Sequence, residues 1–476
     1  MGAGRRMKIA LAFACNALFN FAIGLLLARY LGPEEYGRFA LAVAVAITVQ
    51  TVAFDWMRLA AARFYSARVR AEEPKLRATL DVSLAGLILL LGLGTAGLLL
   101  SGLKVELSPS LLVLAIGTAI ANGVFDLLAA LFRARFLDGV YARLVIGKNV
   151  LSLLLTIGGA YWTGEASVAL LGVVLSMAGA MMGIFPHLRD PEAKPQLASL
   201  SLARTLFRYG LPIVTANLLY QSVPLVDRLL LARTQGFAAS GQFSFAYDIG
   251  VRLVSAIGSM LDTLLFQVAV QVDEKHGTAR AWAQIGDNIG VVVAVLAPTC
   301  VGCWLVLPSF EQLVAPAEFQ GAFGRYFALM LPGFFCYALI FFALHPVFQI
   351  RKTTLPLVFV AAGASLANLG ILAFWPADRG EMTGLAVSLA FATGLVLLAA
   401  GTLLARQTLP RGRDLLGTVV STAVMALVVR SLPAGDPGLL RLIVQAGLGA
   451  GVYGALALAL DLCSSRAWLL SALRRT

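Results

Sequence analysis

Residues 25–42 read Leu25-Leu26-Leu27-Ala28-Arg29-Tyr30-Leu31-Gly32-Pro33-Glu34-Glu35-Tyr36-Gly37-Arg38-Phe39-Ala40-Leu41-Ala42, and they join two apolar runs, 9–28 and 39–62. Each run is long enough to cross a bilayer as a helix, which takes about 20 residues. Gly32 and Pro33 stop the first helix, since glycine favours the conformation that ends a helix and proline has no N–H to continue one. Glu34 and Glu35 open the next turn, and Gly37 lets the second helix approach a neighbour closely. The stretch is a tight turn between two membrane helices.

Outward from this turn the same texture continues. Apolar runs fall near 79–101, 110–132, 143–162, 167–187, 209–232, 239–270, 286–307, 323–348, 355–375, 382–405, 415–431 and 439–461. None alternates in polarity, as β-barrel strands would. The chain is 59% hydrophobic and only 13% charged, with a mean hydropathy of +0.85. The expected fold class is all-α: a polytopic membrane protein of about 14 transmembrane helices. The net charge of +12 does not mark a nucleic-acid binder, because the basic residues punctuate the apolar runs. They alternate by side, with a roughly threefold excess in one set of loops. That set includes Arg5, Arg6, Lys8, Arg68, Arg70, Lys75, Arg351, Lys352, Arg474 and Arg475, which places both termini in the cytoplasm.

Leu25-Leu26-Leu27-Ala28-Arg29 recurs as Leu229-Leu230-Leu231-Ala232-Arg233, a shift of 204 residues. The same shift matches Gly32 with Gly236, Gly37 with Gly241, Phe39 with Phe243 and Ala42 with Ala246. Six runs separate equivalent points, so the repeat is parallel, about an axis along the membrane normal. Transporters built this way bind substrate between their halves. The expected organisation is a six-helix lobe over 1–190, a pseudo-symmetric six-helix lobe over 191–408, and two additional helices with a cytoplasmic tail over 409–476. Pro186, Pro191 and Pro195 mark a hinge between the halves.

The Ala28–Leu41 segment resembles the signature between the first two helices of Wzx-like polysaccharide flippases. These are members of the multidrug/oligosaccharidyl-lipid/polysaccharide exporter superfamily. The resemblance implies a bacterial inner-membrane protein. It would move an undecaprenyl-diphosphate-linked oligosaccharide from the cytoplasmic to the periplasmic leaflet by alternating access. It also implies a glycan polymerase and glycosyltransferases as partners, and surface polysaccharide biosynthesis as the setting. In related lipid-diphosphate flippases two extra C-terminal helices form a groove for the lipid tail, which makes 415–431 and 439–461 candidates here.

Ionisable groups inside membrane spans are functional candidates by default. Asp248 and Arg252 lie mid-span, four residues apart on one helix face. Either they line a cavity, with Arg252 meeting a diphosphate or acidic sugar, or they neutralise each other as a structural pair. Asp55 and Arg58 are a second pair nearer the cytoplasmic end, where Arg58 could instead snorkel to headgroups. Arg228, Asn16 and Asn20 complete the substrate-binding candidates, although the asparagines could equally hold helices together. Asp227 and Arg228 are adjacent, so at most one faces a cavity squarely. Asp126, Asp227 and Asp262 are candidates for coupling H+ or Na+. Lys148 reads as an anchor near the cytoplasmic end.

Nothing points to an enzyme. His187, His276 and His345 lack metal-ligand spacing, there is no Walker A sequence, and no cofactor is expected. Cys300 and Cys303 form a lone C-x-x-C in an apolar run and read as small buried residues. The first apolar run is too long for a signal-peptide core and reads as a retained helix. Two other functions stay open. A cation-coupled multidrug exporter would need acidic groups, which helix one lacks. A glycan polymerase would need catalytic side chains and a large outer loop.

Overall fold

The computed structural model describes the chain except residues 1–2, 104, 188–189, 346–347, 349–354, 375–378, 404–409, 434 and 467–476. The side chains of 1–20 and several between 263 and 281 also lie outside the described part. The regular elements among the described residues are all helices, with no strand among them. In order they form α1 (Ala3–Phe64), α2 (Ala67–Glu72), α3 (Pro74–Leu100), α4 (Pro109–Ala134), α5 (Asp138–Ser152), α6 (Gly158–Thr163), α7 (Ala166–Met182) and α8 (Leu200–Thr234). They continue with α9 (Phe237–His276), α10 (Thr278–Leu305), α11 (Leu307–Val314), α12 (Ala322–Leu339), α13 (Leu355–Phe374), α14 (Arg379–Leu403), α15 (Gly412–Arg430) and α16 (Leu439–Ala459).

Ten helices among the described residues are long and apolar enough to cross a membrane, and α7 is a shorter apolar helix. Exposure agrees with a lipid environment: Leu89, Leu90 and Leu93 of α3 are 63–64% exposed, and only hydrocarbon would accept so many bare leucines on one helix. The chain is an all-α multi-pass membrane protein. α8 and α9 are long but fall outside the ten, because Asn217, Gln221, Asp227, Asp248 and Arg252 dilute their apolar content. α1 contains the turn expected at Gly32, which stands at φ 67°, ψ 175° with Pro33 behind it. This breaks the element into two helices where the sequence expects them. The positive φ is one that a side chain would strain.

Two compact units contain the chain. One spans Leu26–Ser244. Its core gathers Phe54, Met57, Phe125, Leu128 and Phe132, with Gly123 of α4 lying directly under the Phe54 ring. Glu35 accepts a hydrogen bond from the Ala166 N–H at 2.8 Å, which ties the turn of α1 to the start of α7. Arg38 pairs with Glu34 at 2.6 Å and also with Glu35. The start of α9 crosses α1 here at backbone contact. A Cβ on Gly37 would lie 2.0 Å from the Phe237 carbonyl oxygen, and one on Gly241 would lie 1.9 Å from that of Pro33. The contact is reciprocal: the shift of 204 relates Pro33 to Phe237 and Gly37 to Gly241. Positions matched by the repeat touch each other in matched ways.

In the same unit the segment before α8 is fastened down. Arg70 donates from Nε and Nη2 to the two Asp190 carboxylate oxygens at 2.8 and 3.3 Å, and the Tyr65 hydroxyl donates to the same group at 3.5 Å. That bond holds the Arg70 guanidinium still further above its usual pKa. Burial pushes the Tyr65 hydroxyl up, so it stays protonated. The Ser199 N–H donates to Thr79 Oγ1 at 3.1 Å, and the Ser199 side chain caps α8.

The other unit comprises Met1–Leu25 and Phe245–Thr476. α14 packs against both α12 and α13, and Phe323, Phe327 and Phe334 form an aromatic seam along α12. Gly250 of α9 leaves room for the Phe334 ring, and Gly333 rests on Ser388, whose Oγ accepts its N–H at 3.1 Å. α15 and α16 form a hairpin, with α15 against α10.

Candidate functional site

Arg252 is half-buried on α9, one turn after Asp248, itself half-buried. The guanidinium reaches the first helix at Gly24. A Cβ on Gly24 would come 2.3 Å from Arg252 Nη1 and 3.0 Å from its central carbon. A side chain at position 24 would force the tip of Arg252 to shift. Asn16 and Asn20 lie on the same helix, but their side chains fall outside the described part. Asp262 is half-buried further along α9.

A second charged cluster belongs to the Leu26–Ser244 unit. Asp55 is buried and pairs with Arg58 at 3.3 Å. Asp126 of α4 accepts a hydrogen bond from Gln50 Nε2 at 2.8 Å. Arg58, Asp55, Lys148 and Arg133 all lie within electrostatic reach of Asp126. Lys148 departs from its expected role as an anchor. It is half-buried, with its ammonium 5.6 Å from the Phe125 ring centroid, and it faces Asp126. Next to Gln50 in sequence, Thr51 donates to Gln221 of α8 at 3.1 Å.

Asp227 and Arg228 are both buried, 0% and 5% exposed, so neither is open to solvent. Arg228 donates from Nη1 to the Ala40 carbonyl at 3.4 Å, and the Ser240 hydroxyl donates to the Arg228 carbonyl at 2.9 Å. These bonds sit beside the Gly37–Gly241 crossing, where they fasten α8 to the two crossing helices.

The structure thus joins Asp55, Arg58 and Asp126 in one cluster and sets Asp248 and Arg252 in the other unit. Sequence reasoning missed Gly24, Gln50 and the inward turn of Lys148. Gly24 carries no distinguishing signal among the chain's 46 glycines. Gln50, a polar side chain within an apolar run, could have been found.

Two adjoining apolar clefts run along α10 beside the α15–α16 hairpin. The larger, about 480 Å³, lies between Pro298 and Gly302 of α10, Met425 of α15, and Gln445 and Gly449 of α16. The smaller, about 350 Å³, extends past Tyr453 to Leu261 and Leu265 of α9. The Tyr453 hydroxyl between them donates to the Ala294 carbonyl. Small residues and an in-helix proline leave this space unfilled. Among the described residues no group of His, Cys, Asp and Glu could hold a metal, and Cys300 and Cys303 are free thiols.

Long apolar helices, a charge pair within one of them and apolar clefts between them define a multi-pass membrane protein. The chain belongs to the polysaccharide biosynthesis protein family, whose sequence profile matches residues 8–266, more than half its length. Among solved structures the fold is similar to that of a lipid II flippase, MurJ, in an inward closed conformation. That match has a TM-score of 0.72 at 13% identity, covering 95% of this chain and 98% of the other. An inward-facing multidrug resistance MATE family transporter of the MOP superfamily aligns at TM-score 0.49 and 15% identity, over 81% of this chain and 93% of that one. No curated protein sequence matches the chain.

Proposed function

We propose that this protein carries a lipid-linked oligosaccharide, built on undecaprenyl diphosphate, from the cytoplasmic to the periplasmic leaflet of a bacterial inner membrane. It does so by alternating access, with about 14 spans, both termini cytoplasmic, and lobes at 1–190 and 191–408 followed by two further helices. The observation that carries the reading is membership of the polysaccharide biosynthesis family. The fold shared with a lipid II flippase supports it.

The physical demand on such a carrier is clear. A lipid diphosphate bears about two negative charges, and leaving them unpaired in hydrocarbon would cost several kcal/mol. Arg252, seated on Gly24 with Asp248 one turn away, supplies a cation within the span. Asp248 holds the arginine when no substrate is present and yields it when the diphosphate arrives. The Asp126 cluster, where a carboxylate lies among Arg58 and Lys148, serves as the site of a coupling H+ or Na+. The clefts between α10 and the α15–α16 hairpin take the prenyl tail, which is apolar along its length as they are.

Deleting the gene tests this. The expected result is loss of one surface glycan, with its lipid-linked precursor accumulating on the cytoplasmic leaflet. Normal glycan export in a strain lacking any second homologue would overturn it.

A further inference from the structure

α10 presents another apolar cleft on a different face from the two already described. It is about 460 Å³, within the 300–1,000 Å³ typical of ligand pockets. Ala297, Cys300 and Trp304 form its α10 wall, and Ala328, Pro332 and Phe335 its α12 wall. The α10 residues are spaced by three and four, so they form one stripe. From Ala297 to Trp304 that stripe is about 10 Å long at 1.5 Å per residue. The cleft exists because alanines and a cysteine meet across it, and because Pro332 interrupts the α12 hydrogen-bond ladder. Nothing in its lining is charged.

One end of the cleft is different. Trp304, near the end of α10, is 47% exposed. The guanidinium of Arg430, the last residue of α15, lies 5.7 Å from its ring centroid, within cation–π range. Arg441 lies in the first turn of the next helix, at the same end of the hairpin, with its guanidinium beside Gly435. Among the described residues neither Arg430 nor Arg441 pairs with a carboxylate, whereas Arg325 is matched by Glu381 at 3.3 Å. A tryptophan and unmatched arginines at the end of a membrane helix mark the headgroup level.

We infer that the α10–α12 cleft is a binding site for an anionic glycerophospholipid, with an acyl chain along Ala297–Trp304 and its phosphodiester on Arg430. The occupant must be apolar over the length of the cleft and anionic at the Trp304 end. A zwitterionic lipid satisfies the first condition only, because its own ammonium competes with the arginine for the phosphate. Trp304 bridges the two parts, touching the chain with its ring and holding Arg430 against that ring. This site is independent of the carrier reading, which uses other faces of the protein.

The test is quenching of Trp304 fluorescence by lipids brominated on the acyl chain, in nanodiscs holding the full chain. The Trp304 contribution is obtained by subtracting the signal of Trp304→Phe. Brominated phosphatidylglycerol, titrated into a phosphatidylcholine background, should quench that contribution at about fivefold lower mole fraction than brominated phosphatidylcholine does, the preference one surface arginine gives. Arg430→Gln should make the two titrations coincide, and Arg430→Lys should retain part of the difference. Ala328→Leu, which fills the cleft, should remove quenching by either lipid. Equal titrations in the unaltered protein would overturn the inference, as would a preference that survives Arg430→Gln. Quenching that persists in Ala328→Leu would place the chain elsewhere and refute the site even if an Arg430 variant failed to fold.

Discussion

Replacing Gly37 by alanine adds one methyl group at a helix crossing that has no room for it. The new Cβ would lie 2.0 Å from the Phe237 carbonyl oxygen and 2.9 Å from both the Phe237 carbonyl carbon and the Gly241 nitrogen, whereas ordinary contact begins at 3.4 Å. These obstacles are backbone atoms, so no side chain can swing aside and the helices themselves must part. A gap of 0.5–1 Å already forfeits about a quarter to a half of each dispersion contact. Overpacking typically costs about 1–3 kcal/mol, and a backbone obstacle puts this position at the upper end. Alanine returns up to about 1 kcal/mol of helix propensity. We therefore expect a net loss of about 1–2 kcal/mol, measured as a lower thermal unfolding midpoint of the purified protein in detergent. Gly92→Ala in α3 is the control, since nothing lies within 4 Å of its Cβ position; it should be neutral or stabilising. Gly37→Ala combined with Gly241→Ala should cost less than the sum of the two, because both open the same contact. If Gly37→Ala melts like Gly92→Ala, the helices do not cross at backbone contact and the reasoning fails.

Arg252→Ala should abolish glycan export in a complementation assay at normal expression, and Arg252→Lys should retain part of it, since lysine keeps the charge but loses bidentate geometry; Asp248→Asn should be milder. Gly24→Ala should lower export while leaving the unfolding midpoint unchanged, because its methyl meets only the far end of the Arg252 side chain; wild-type export in Gly24→Ala would show that the seat does not matter. Asp126→Asn removes the titratable carboxylate while keeping an oxygen to accept from Gln50, and should flatten the dependence of export on an imposed H+ or Na+ gradient; an unaltered gradient dependence would exclude Asp126 from coupling.

The turn at Gly32 and Pro33 was legible in sequence because it depends on backbone chemistry that only those residue types possess. The membrane helices were legible because hydropathy over 20 residues averages out local detail. The crossing of Gly37 with Gly241 was half legible: the repeat marked both glycines, but not that they meet. Partners across helices depend on how each helix is rotated about its own axis, and hydropathy does not register rotation. For that reason Lys148 passed for a surface anchor although it turns inward toward Asp126, and Gly24 passed unnoticed. Asp227 and Arg228 show the same limit: hydropathy gave no sign that both are buried.

The fastening of residues 190–199 changes what the proline-rich segment can do mechanically. Arg70 clamps one end at Asp190, and Thr79 holds the other at Ser199. A tether held at both ends has no slack to lend. α8 leaves Ser199 at once, so its first turns are geared to α3 and move with it. The next compliant point along the chain is Pro212, whose missing N–H leaves the Arg208 carbonyl without its helical partner. Any swing of α8 then pivots within the bilayer, and the segment before it works as a bracket.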